Sequence, residues 1–336
     1  MSQSAPLVLR LLAASVPAAA RAGKIIKDVM SGGELAIVQK NKRNLFAKLL
    51  ISPLSSSYFQ NIFKGLGRND LQTEADRSAQ RCIIASLSQQ FPDVTIIGEE
   101  GPSNPSDEVP SDWVVTESEQ DILCKQCPSE YISTTAEDIV VWVDPLDGTS
   151  EYTQGLLDHV TVLIGIAVNG RAVGGVIHQP YHNYQTKKDV PGRTLWGLVG
   201  LGTGGFEVVD PPSDKFIITT TRSHSDGIVV KALEALKPDE ILRVGGAGHK
   251  VLLLLEGRAH AYVFASKGCK KWDTCAPEAV LEALGGTLTD IHGNHYSYAK
   301  DVQYPDAQGI FATAKGVDHK SLVSKIPQEL RDAFPN

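Results

Sequence analysis

The sequence predicts a fold of mixed α+β and α/β character, with layered sheets and helices in two linked lobes. Hydrophobic residues make up 42% of the 336-residue chain and charged residues 21%, as in an ordinary soluble globular protein. Asn169-Gly170 separates two apolar runs and predicts a hairpin. Beyond Asp210-Pro211-Pro212, apolar runs of strand and helix type alternate. We therefore predict an N-terminal lobe over residues 1–210 and a C-terminal α/β lobe over residues 211–336.

The first lobe is predicted to begin with two helices. Apolar positions over residues 5–29 predict an amphipathic helix that is interrupted or kinked at Pro17. This helix is favoured over a mitochondrial presequence because the apolar pattern continues without a cleavage-like break. Thr73-Glu74-Ala75-Asp76 has the pattern of a capping box, and it predicts a second helix from near Asp70 to about residue 90. No stretch reaches the ~18–20 unbroken apolar residues of a membrane span.

The remaining elements follow from apolar runs and turn residues. In the first lobe, strands are predicted at 94–97, 139–143, 160–168, 172–178, 196–199 and 206–209. Residues 101–137 are rich in Pro, Ser, Asp and Glu, and they predict a loop around one weak helix. In the second lobe, strands are predicted at 216–221, 240–244 and 262–265, and helices at 226–236, 250–256 and 274–284. The last of these helices is closed by Gly285-Gly286.

The charge and the cysteines exclude some classes of function. A formal net charge of −7 argues against a protein that coats DNA or RNA. An acidic protein can still bind a small phosphate ester if metal ions reverse the local field. Five cysteines and the lack of an evident secretory leader predict reduced thiols in the cytoplasm. Cys124 and Cys127 have redox or zinc spacing, but a structural zinc needs four ligands.

The densest chemical signal is the sequence at 144–149, which directly follows a buried strand. Its proline and glycine turn the chain, so the carboxylates of Asp144 and Asp147 and the Leu146 carbonyl can converge on one point. Oxygen ligands of this kind suit a hard cation such as Mg²⁺. A surface turn rich in Asp and Gly explains the same residues equally well, so the rest of the chain must decide.

Other acids also lie near the ends of apolar strands, the usual edge of an α/β active site. Glu99 follows one strand, Asp273 lies between a strand and the start of a helix, and Asp76 lies in a first helical turn. Each also has a structural explanation, as a loop acid, an N-cap residue and a partner of the helix dipole, respectively. Those explanations do not say why several acids share this position.

Two segments of the second half are suited to a phosphate group. Residues 219–225 supply hydroxyls, a guanidinium and an imidazole directly after a strand, although a capped turn is the alternative. Residues 245–250 precede a helix whose N-terminal amides, with Lys250, can hold an anion, although a flexible linker is the alternative. Acids for a metal together with an anion site at a helix terminus predict metal-assisted phosphoryl chemistry. The glycine-rich run at 200–205 is not a dinucleotide motif because no helix is predicted after it.

Taken together, these motifs resemble the Mg²⁺-dependent, lithium-sensitive phosphatases related to inositol monophosphatase. The resemblance rests on the sequence at 144–149, on Gly98-Glu99-Glu100 and on Trp272-Asp273, and it covers nearly the whole chain. Within that superfamily, the chain is most similar to the branch that acts on 3′(2′),5′-bisphosphate nucleotides. The resemblance implies a layered α/β/α/β/α sandwich of the sugar-phosphatase type, with the site between the two lobes.

The resemblance also implies a role for each site residue. Two or three Mg²⁺ ions would be held by Glu99, Asp144, Asp147, Asp273 and the Leu146 carbonyl. Thr149, paired with Asp76, would help to activate the attacking water. The nucleotide would be contacted by Thr221, His224, Gly246 and Lys250, with Asp273 near both metal and substrate.

The implied reaction removes the 3′-phosphate of adenosine 3′,5′-bisphosphate to give AMP and phosphate. The sulfated analogue, 3′-phosphoadenylyl sulfate, would also be a substrate, which places the enzyme in nucleotide metabolism and sulfate assimilation. An inositol polyphosphate 1-phosphatase and a catalytically dead nucleotide-binding sensor remain as alternatives. The implied protein is a cytoplasmic monomer that binds no nucleic acid polymer.

One segment departs from the family pattern. Residues 41–67 separate the first helix from the second, far more than a typical ~4–6-residue connection. The segment is basic and carries Phe46, Tyr58, Phe59 and Phe63 among leucines and isoleucines. It suits either docking to a partner or membrane surface, or a translated intron or an error in the gene model. Because it precedes Asp76, the placement of that residue is the point to check.

Overall fold

Two large β-sheets, of six and five strands, and three layers of helices make up the core of this computed structural model, with two further two-stranded sheets. It describes residues 5–33, 37–39, 71–102, 108–186, 192–222 and 227–335. The insertion at 41–67 and His224 lie outside the described residues. Within the described ranges, no helix has the length and apolar character needed to cross a membrane.

The helices and strands are numbered in chain order. The helices are α1 (Leu7–Gly32), α2 (Glu74–Gln90), α3 (Gln120–Leu123), α4 (Thr149–Thr153), α5 (Gly227–Leu236), α6 (Ala247–Leu255), α7 (Lys271–Leu284), α8 (His319–Ser324) and α9 (Gln328–Arg331). The strands are β1 (Val38–Gln39), β2 (Leu71–Gln72), β3 (Thr95–Gly98), β4 (Ile139–Asp147), β5 (Thr161–Val168), β6 (Arg171–Gln179), β7 (Arg193–Leu198), β8 (Gly202–Gly204), β9 (Ile217–Thr221), β10 (Glu240–Val244), β11 (Ala261–Phe264), β12 (Cys269–Lys270), β13 (Thr287–Thr289), β14 (Pro305–Asp306) and β15 (Ile310–Thr313). Short 3₁₀ turns lie at Ser111–Trp113, Ser129–Tyr131, Ala136–Asp138 and Leu157–His159.

The first helical layer consists of α1 and α2. The sequence predicted an interruption or kink at Pro17, but α1 runs without interruption through that residue. Proline has no amide proton to give to the carbonyl four residues earlier. Here the Glu119 amide, from the segment before α3, donates to the Ala13 carbonyl at 2.9 Å. The orphaned carbonyl is therefore satisfied by tertiary structure.

The six-stranded sheet has the order β3-β4-β5-β6-β7-β8 and is covered on both faces. Side chains alternate along β4, so Val141 and Val143 pack against α1 and α2, whereas Val140 and Trp142 pack into the next layer. Asp144 continues the alternation on the same face as Trp142. The strand therefore delivers this carboxylate to the inside of the molecule.

The middle helical layer consists of α6 and α7, and the five-stranded sheet lies beyond it in the order β10-β9-β11-β15-β13. Strands β9, β10 and β11 are parallel to one another, and β15 runs antiparallel to β11. The outer layer, α5, α8 and α9, packs on its far face. The observed order of layers is α/β/α/β/α, so the predicted sandwich is confirmed. The division at residue 210 into two lobes stays a prediction.

Most predicted elements are present, with shifts at their ends. The hairpin at Asn169-Gly170 is formed by β5 and β6 and is confirmed. The strand predicted at 206–209 is wrong, because β8 ends at Gly204, where Gly205 takes a positive φ of 89°. Val208 and Val209 beyond it are 44% and 51% exposed. The strands β13 and β15, which complete the second sheet, were not predicted.

Candidate active site

Three carboxylates, two buried and one half-buried, converge between the six-stranded sheet and α7. Carboxylate oxygens of Asp144, Asp147 and Asp273 all lie within 4.8 Å of one another. Asp144 and Asp147 lie in the last part of β4. Asp273 lies in the first turn of α7, which begins at Lys271, three residues before the predicted start at Thr274. Its carboxylate accepts the Lys270 amide proton at 2.6 Å, which is one half of a capping box, since a lysine side chain cannot accept a backbone proton in return. One acid therefore caps the helix and also completes the cluster.

The turn at the end of β4 aims both aspartates into this space. The pairing with β5 shifts register between Asp144 and Asp147, as at a β-bulge. The Leu146 amide donates to Asp144 Oδ1 at 3.0 Å and fixes the carboxylate over the turn. Gly148 has a φ of 88°, which suits glycine, and α4 begins directly after it. The alternative of an exposed surface turn is excluded, because Asp144 is only 1% exposed.

Asp147 forms hydrogen bonds that connect the end of β4 with the start of α6. Its carboxylate accepts the Thr161 hydroxyl at 2.7 Å and the amides of Ala247 and Gly248 at 2.8 Å each. These amides form the N-terminus of α6, so the anion they bind is the chain's own Asp147 rather than an external phosphate. Lys250 Nζ donates to the Gly246 carbonyl at 2.8 Å. Each carboxylate oxygen has two lone pairs, so Asp147 is oriented by these bonds and still able to bind a cation.

The cluster opens into a cavity of about 210 Å³. Glu99 lines the cavity and forms an ion pair with Lys270 at 3.2 Å. Residues of both sheets line the same space: Asp147, Gly148, Thr149, Ser150, Glu151, Thr221, Gly245, Gly246, Ala247, Lys250, Tyr262, Phe264, Gly268, Cys269 and Asp273. The predicted residues Thr221, Gly246 and Lys250 are therefore brought to one cavity with Glu99, Asp147 and Asp273.

Asp76 and Thr149 form a hydrogen-bonded pair beside the cluster. The Thr149 hydroxyl lies 3.0 Å from Asp76 Oδ1 and 3.1 Å from the Leu146 carbonyl oxygen, and its single proton can go to one of the two. Asp76 is fully buried and accepts the amide and hydroxyl of Thr73 at the start of α2. The insertion before Asp76 therefore leaves this residue in its capping box and beside Thr149.

Burial raises the pKa values of several acids of the site. It raises the pKa of Asp76 to about 7, with the negative charge of Glu100 as the next cause. It also raises the pKa of Asp273 to about 7, and there the next cause is Glu99. Burial together with Glu99 and Asp273 holds the pKa of Asp144 well above its usual range. Neighbouring carboxyl groups that are shielded from water resist ionisation unless a cation binds between them.

We expect Mg²⁺ to stabilise the protein more at pH 8.0 than at pH 6.5. An acid whose folded pKa is raised binds more protons folded than unfolded, so its contribution to stability falls as pH rises from about 4 through about 7. Each such group lowers the free energy of unfolding by up to about 1.4 kcal/mol per pH unit as the pH rises through that interval. A bound cation removes this penalty. Thermal melts with EDTA and with Mg²⁺ at each pH measure the difference. The titration of other groups, such as the buried histidines, affects both melts equally and cancels. An equal Mg²⁺ effect at both pH values would contradict the expectation.

Several residues of the site were missed in the sequence. Glu151, buried in α4, pairs with Arg222 at 3.1 Å and thereby joins the Asp144–Thr149 turn to the end of β9. Its signal is an acid two residues beyond the turn motif. Lys270 was hidden in a run of two lysines directly before Trp272-Asp273. Thr161 gave no signal beyond its place at the start of a strand.

Two other features of the described residues do not rival this site. A groove of about 610 Å³ between α5 and α8 is larger, but Asp318 is the one acid that lines it. Glu278, Glu282 and His295 lie close enough to hold a metal ion. There His295 Nδ1 already lies 3.2 Å from each glutamate, and the bond to Glu278 raises the pKa of His295 to about 9. The imidazolium thus serves as the cation of that cluster.

Sequence comparison places the chain among known phosphatases. The model of the inositol monophosphatase family matches residues 8–331. A human protein named 3′(2′),5′-bisphosphate nucleotidase 1 is 48% identical over 99% of both chains. A Dictyostelium discoideum protein of the same name is 35% identical over 88% of this chain and 89% of its own. The bovine Golgi-resident adenosine 3′,5′-bisphosphate 3′-phosphatase is 31% identical over 94% of this chain and 79% of its own.

Solved structures agree on the fold. The suppressor protein SuhB of Bartonella henselae superposes with a TM-score of 0.62 at 19% identity, covering 94% of this chain and 97% of its own. A Thermotoga maritima inositol monophosphatase superposes with a TM-score of 0.61 at 20% identity, covering 95% of this chain and 96% of its own. At such identities the likeness concerns architecture alone, and it covers nearly all of the chain.

Proposed function

Because this chain belongs to the inositol monophosphatase family, we propose that it is a phosphatase that removes the 3′-phosphate from adenosine 3′,5′-bisphosphate. The products are AMP and inorganic phosphate. The observation that carries this function is the 48% identity, over 99% of both chains, with human 3′(2′),5′-bisphosphate nucleotidase 1. 3′-Phosphoadenylyl sulfate, which carries the same 3′-phosphate, is the second substrate.

The acid cluster fits a hard divalent cation. Its donors are carboxylate oxygens with a backbone carbonyl nearby, which are the ligands that Mg²⁺ prefers. The raised pKa of Asp144 also supports a cation, because burial and the neighbouring acids leave its negative charge poorly compensated. We assign two or three Mg²⁺ ions to Glu99, Asp144, Asp147, Asp273 and the Leu146 carbonyl. When bound, such ions supply Lewis acidity toward phosphoryl oxygens and lower the pKa of water.

Asp76 and Thr149 supply the path for a proton. A water beside Thr149 Oγ1 can donate to that hydroxyl while the hydroxyl donates to Asp76 Oδ1, 3.0 Å away. The Leu146 carbonyl competes for the same hydroxyl proton, and if this carbonyl held a cation it would no longer accept that proton, which leaves Asp76 as the acceptor. Burial raises the pKa of Asp76 to about 7, which suits a group that accepts a proton near neutral pH.

The nucleotide lies in the part of the cavity formed by the second sheet. Thr221 ends β9, and Gly246 and Lys250 flank the start of α6. Lys250 is a buried cation in a protein whose net charge is −7, so it offers local attraction to an anionic substrate. His224, also proposed to contact the nucleotide, follows two residues after Arg222 in the sequence.

One assay tests the proposed function against the two alternative functions. We expect phosphate release from adenosine 3′,5′-bisphosphate with Mg²⁺, none with EDTA, and inhibition by Li⁺. Inositol 1,4-bisphosphate, assayed in parallel, is expected to react more slowly. Faster release from the inositol substrate would indicate an inositol polyphosphate 1-phosphatase. Nucleotide binding without release would indicate a sensor.

The cellular location and the oligomeric state of the protein are proposed as well. We assign it to the cytoplasm as a monomer that acts on a small phosphorylated nucleotide. The few cysteines, all free in the structure, suit a reducing compartment. A Golgi-resident relative shares 31% identity, so localisation of a tagged protein is the measurement that separates the two compartments.

A further inference from the structure

Tyr262 lines the active-site cavity, and its buried hydroxyl has no oxygen or nitrogen partner among the described residues. The residue is 1% exposed. The Cys269 thiol lies within reach of a weak hydrogen bond to it, and sulfur is a poor substitute for an oxygen or nitrogen partner. Of the described residues that line the cavity, Tyr262 is the one whose buried polar atom lacks a partner. A buried hydroxyl without a partner is costly, so an atom that enters the cavity is expected to satisfy it.

The position of Tyr262 follows from the alternation of β11. Ala261 and Val263 face the outer helices, whereas Tyr262 and Phe264 face the middle layer that contains α6 and α7. Tyr262 also lies on the second sheet, opposite Thr219 of β9. Asp144 and Asp147, by contrast, come from the first sheet. The cavity therefore lies between the two sheets, with Asp147 supplied by the first sheet and Tyr262 by the second.

Tyr262 shares its surroundings with the cation of the cavity. Lys250 Nζ lies 5.3 Å from the centre of the Tyr262 ring, within the range of a cation–π contact. Beyond this ring, Lys250 is bonded to the Gly246 carbonyl. A positive charge and a free hydroxyl that line one cavity form a donor pair for a phosphate group.

We propose that Tyr262 is a specificity residue whose hydroxyl donates a hydrogen bond to the phosphate that is not cleaved. This role rests on the proposed function, because only a bisphosphate carries such a group. The phosphate that is cleaved belongs at the acids of the first sheet, which directs the second one toward Lys250 and Tyr262. The hydroxyl therefore favours bisphosphates over monophosphates.

Replacement of Tyr262 by Phe tests this role, because it removes the hydroxyl and keeps the ring. We expect kcat/KM for adenosine 3′,5′-bisphosphate to fall about 10-fold or more, as for one lost hydrogen bond to a charged group. Hydrolysis of adenosine 3′-monophosphate should change less than about 2-fold, since this substrate lacks the second phosphate. Inhibition by AMP should weaken as the bisphosphate KM rises, whereas inhibition by adenosine should not change.

Tyr298→Phe is the matched control. Tyr298 is equally buried, but its hydroxyl already donates to Glu278, so its loss should lower the Tm and leave substrate preference unchanged. Tyr262→Phe should instead leave the Tm unchanged or higher, because it removes an unsatisfied group. An equal fall for both substrates, or a lowered Tm with unchanged preference, would overturn the role of Tyr262 alone. A wild-type protein that does not cleave the bisphosphate would overturn the proposed function and this role with it.

Discussion

Replacement of Asp144 by Asn is expected to lower kcat by at least about 10³-fold, because one carboxylate of the metal cluster becomes neutral. Asp144 is buried, and its hydrogen bond from the Leu146 amide brings no positive charge, so in the proposed enzyme the bound cation compensates the carboxylate. The amide has nearly the same shape, so the turn at the end of β4 should persist. The metal-free variant should be more stable than the wild type at pH 8.0, since a repelling buried charge is gone. Steady-state kinetics and thermal melts measure the two effects.

Asp93→Asn is the control for this variant, because Asp93 lies exposed in the turn between α2 and β3. It should leave both kcat and the Tm near their wild-type values. Nucleotide binding to Asp144→Asn should be retained, since Lys250 and Thr221 are untouched. Turnover of Asp144→Asn within about 10-fold of wild type would contradict a metal role for this residue.

Replacement of Asp76 by Asn is expected to lower kcat by about 10²–10⁴-fold, the usual contribution of general base catalysis. The amide cannot take the proton that the Thr149 hydroxyl passes to Asp76 Oδ1. The KM for the nucleotide and the dependence on Mg²⁺ should remain close to wild type, because Asp76 is not one of the three converging carboxylates.

Two changes at Thr149 separate proton transfer from structure. Thr149→Ser keeps the hydroxyl and should retain most activity, whereas Thr149→Val removes it at similar volume and should behave like Asp76→Asn. If Asp76→Asn and Thr149→Val together are no worse than either alone, the two residues act as one unit. Full activity of Thr149→Val would show that the proton takes another route.

Short-range features of the site could be predicted from the sequence. The proline and glycine between and after Asp144 and Asp147 determine a local turn, and the buried strand before them determines which way they point. The capping box at Thr73 and Asp76 is similarly local. In each case the interacting residues lie within a few positions of one another, so the sequence spacing contains the geometry.

Long-range partners could not be predicted in this way. The start of α6 was recognised as an anion site, yet its anion is Asp147, one hundred residues earlier in the chain. The strand that contains Tyr262 was predicted, but the face that meets the cavity depends on how β11 lies between β9 and β15. The meeting of Asp273 with Asp144 likewise depends on the packing of α7 against the first sheet. Of these contacts, only the meeting of Asp273 with Asp144 was implied by the family resemblance.

The most direct measurement is the location of Mn²⁺ in crystals of the protein by anomalous scattering, since Mn²⁺ binds the same oxygen ligands as Mg²⁺. We expect anomalous peaks within about 2.5 Å of carboxylate oxygens of Asp144, Asp147 and Asp273, and their loss in Asp144→Asn. The cluster should hold the ion at Mn²⁺ concentrations that also support turnover in solution. An active protein whose crystals show no peak at this cluster, or a peak only beside Glu278 and His295, would contradict the assignment of the metal site.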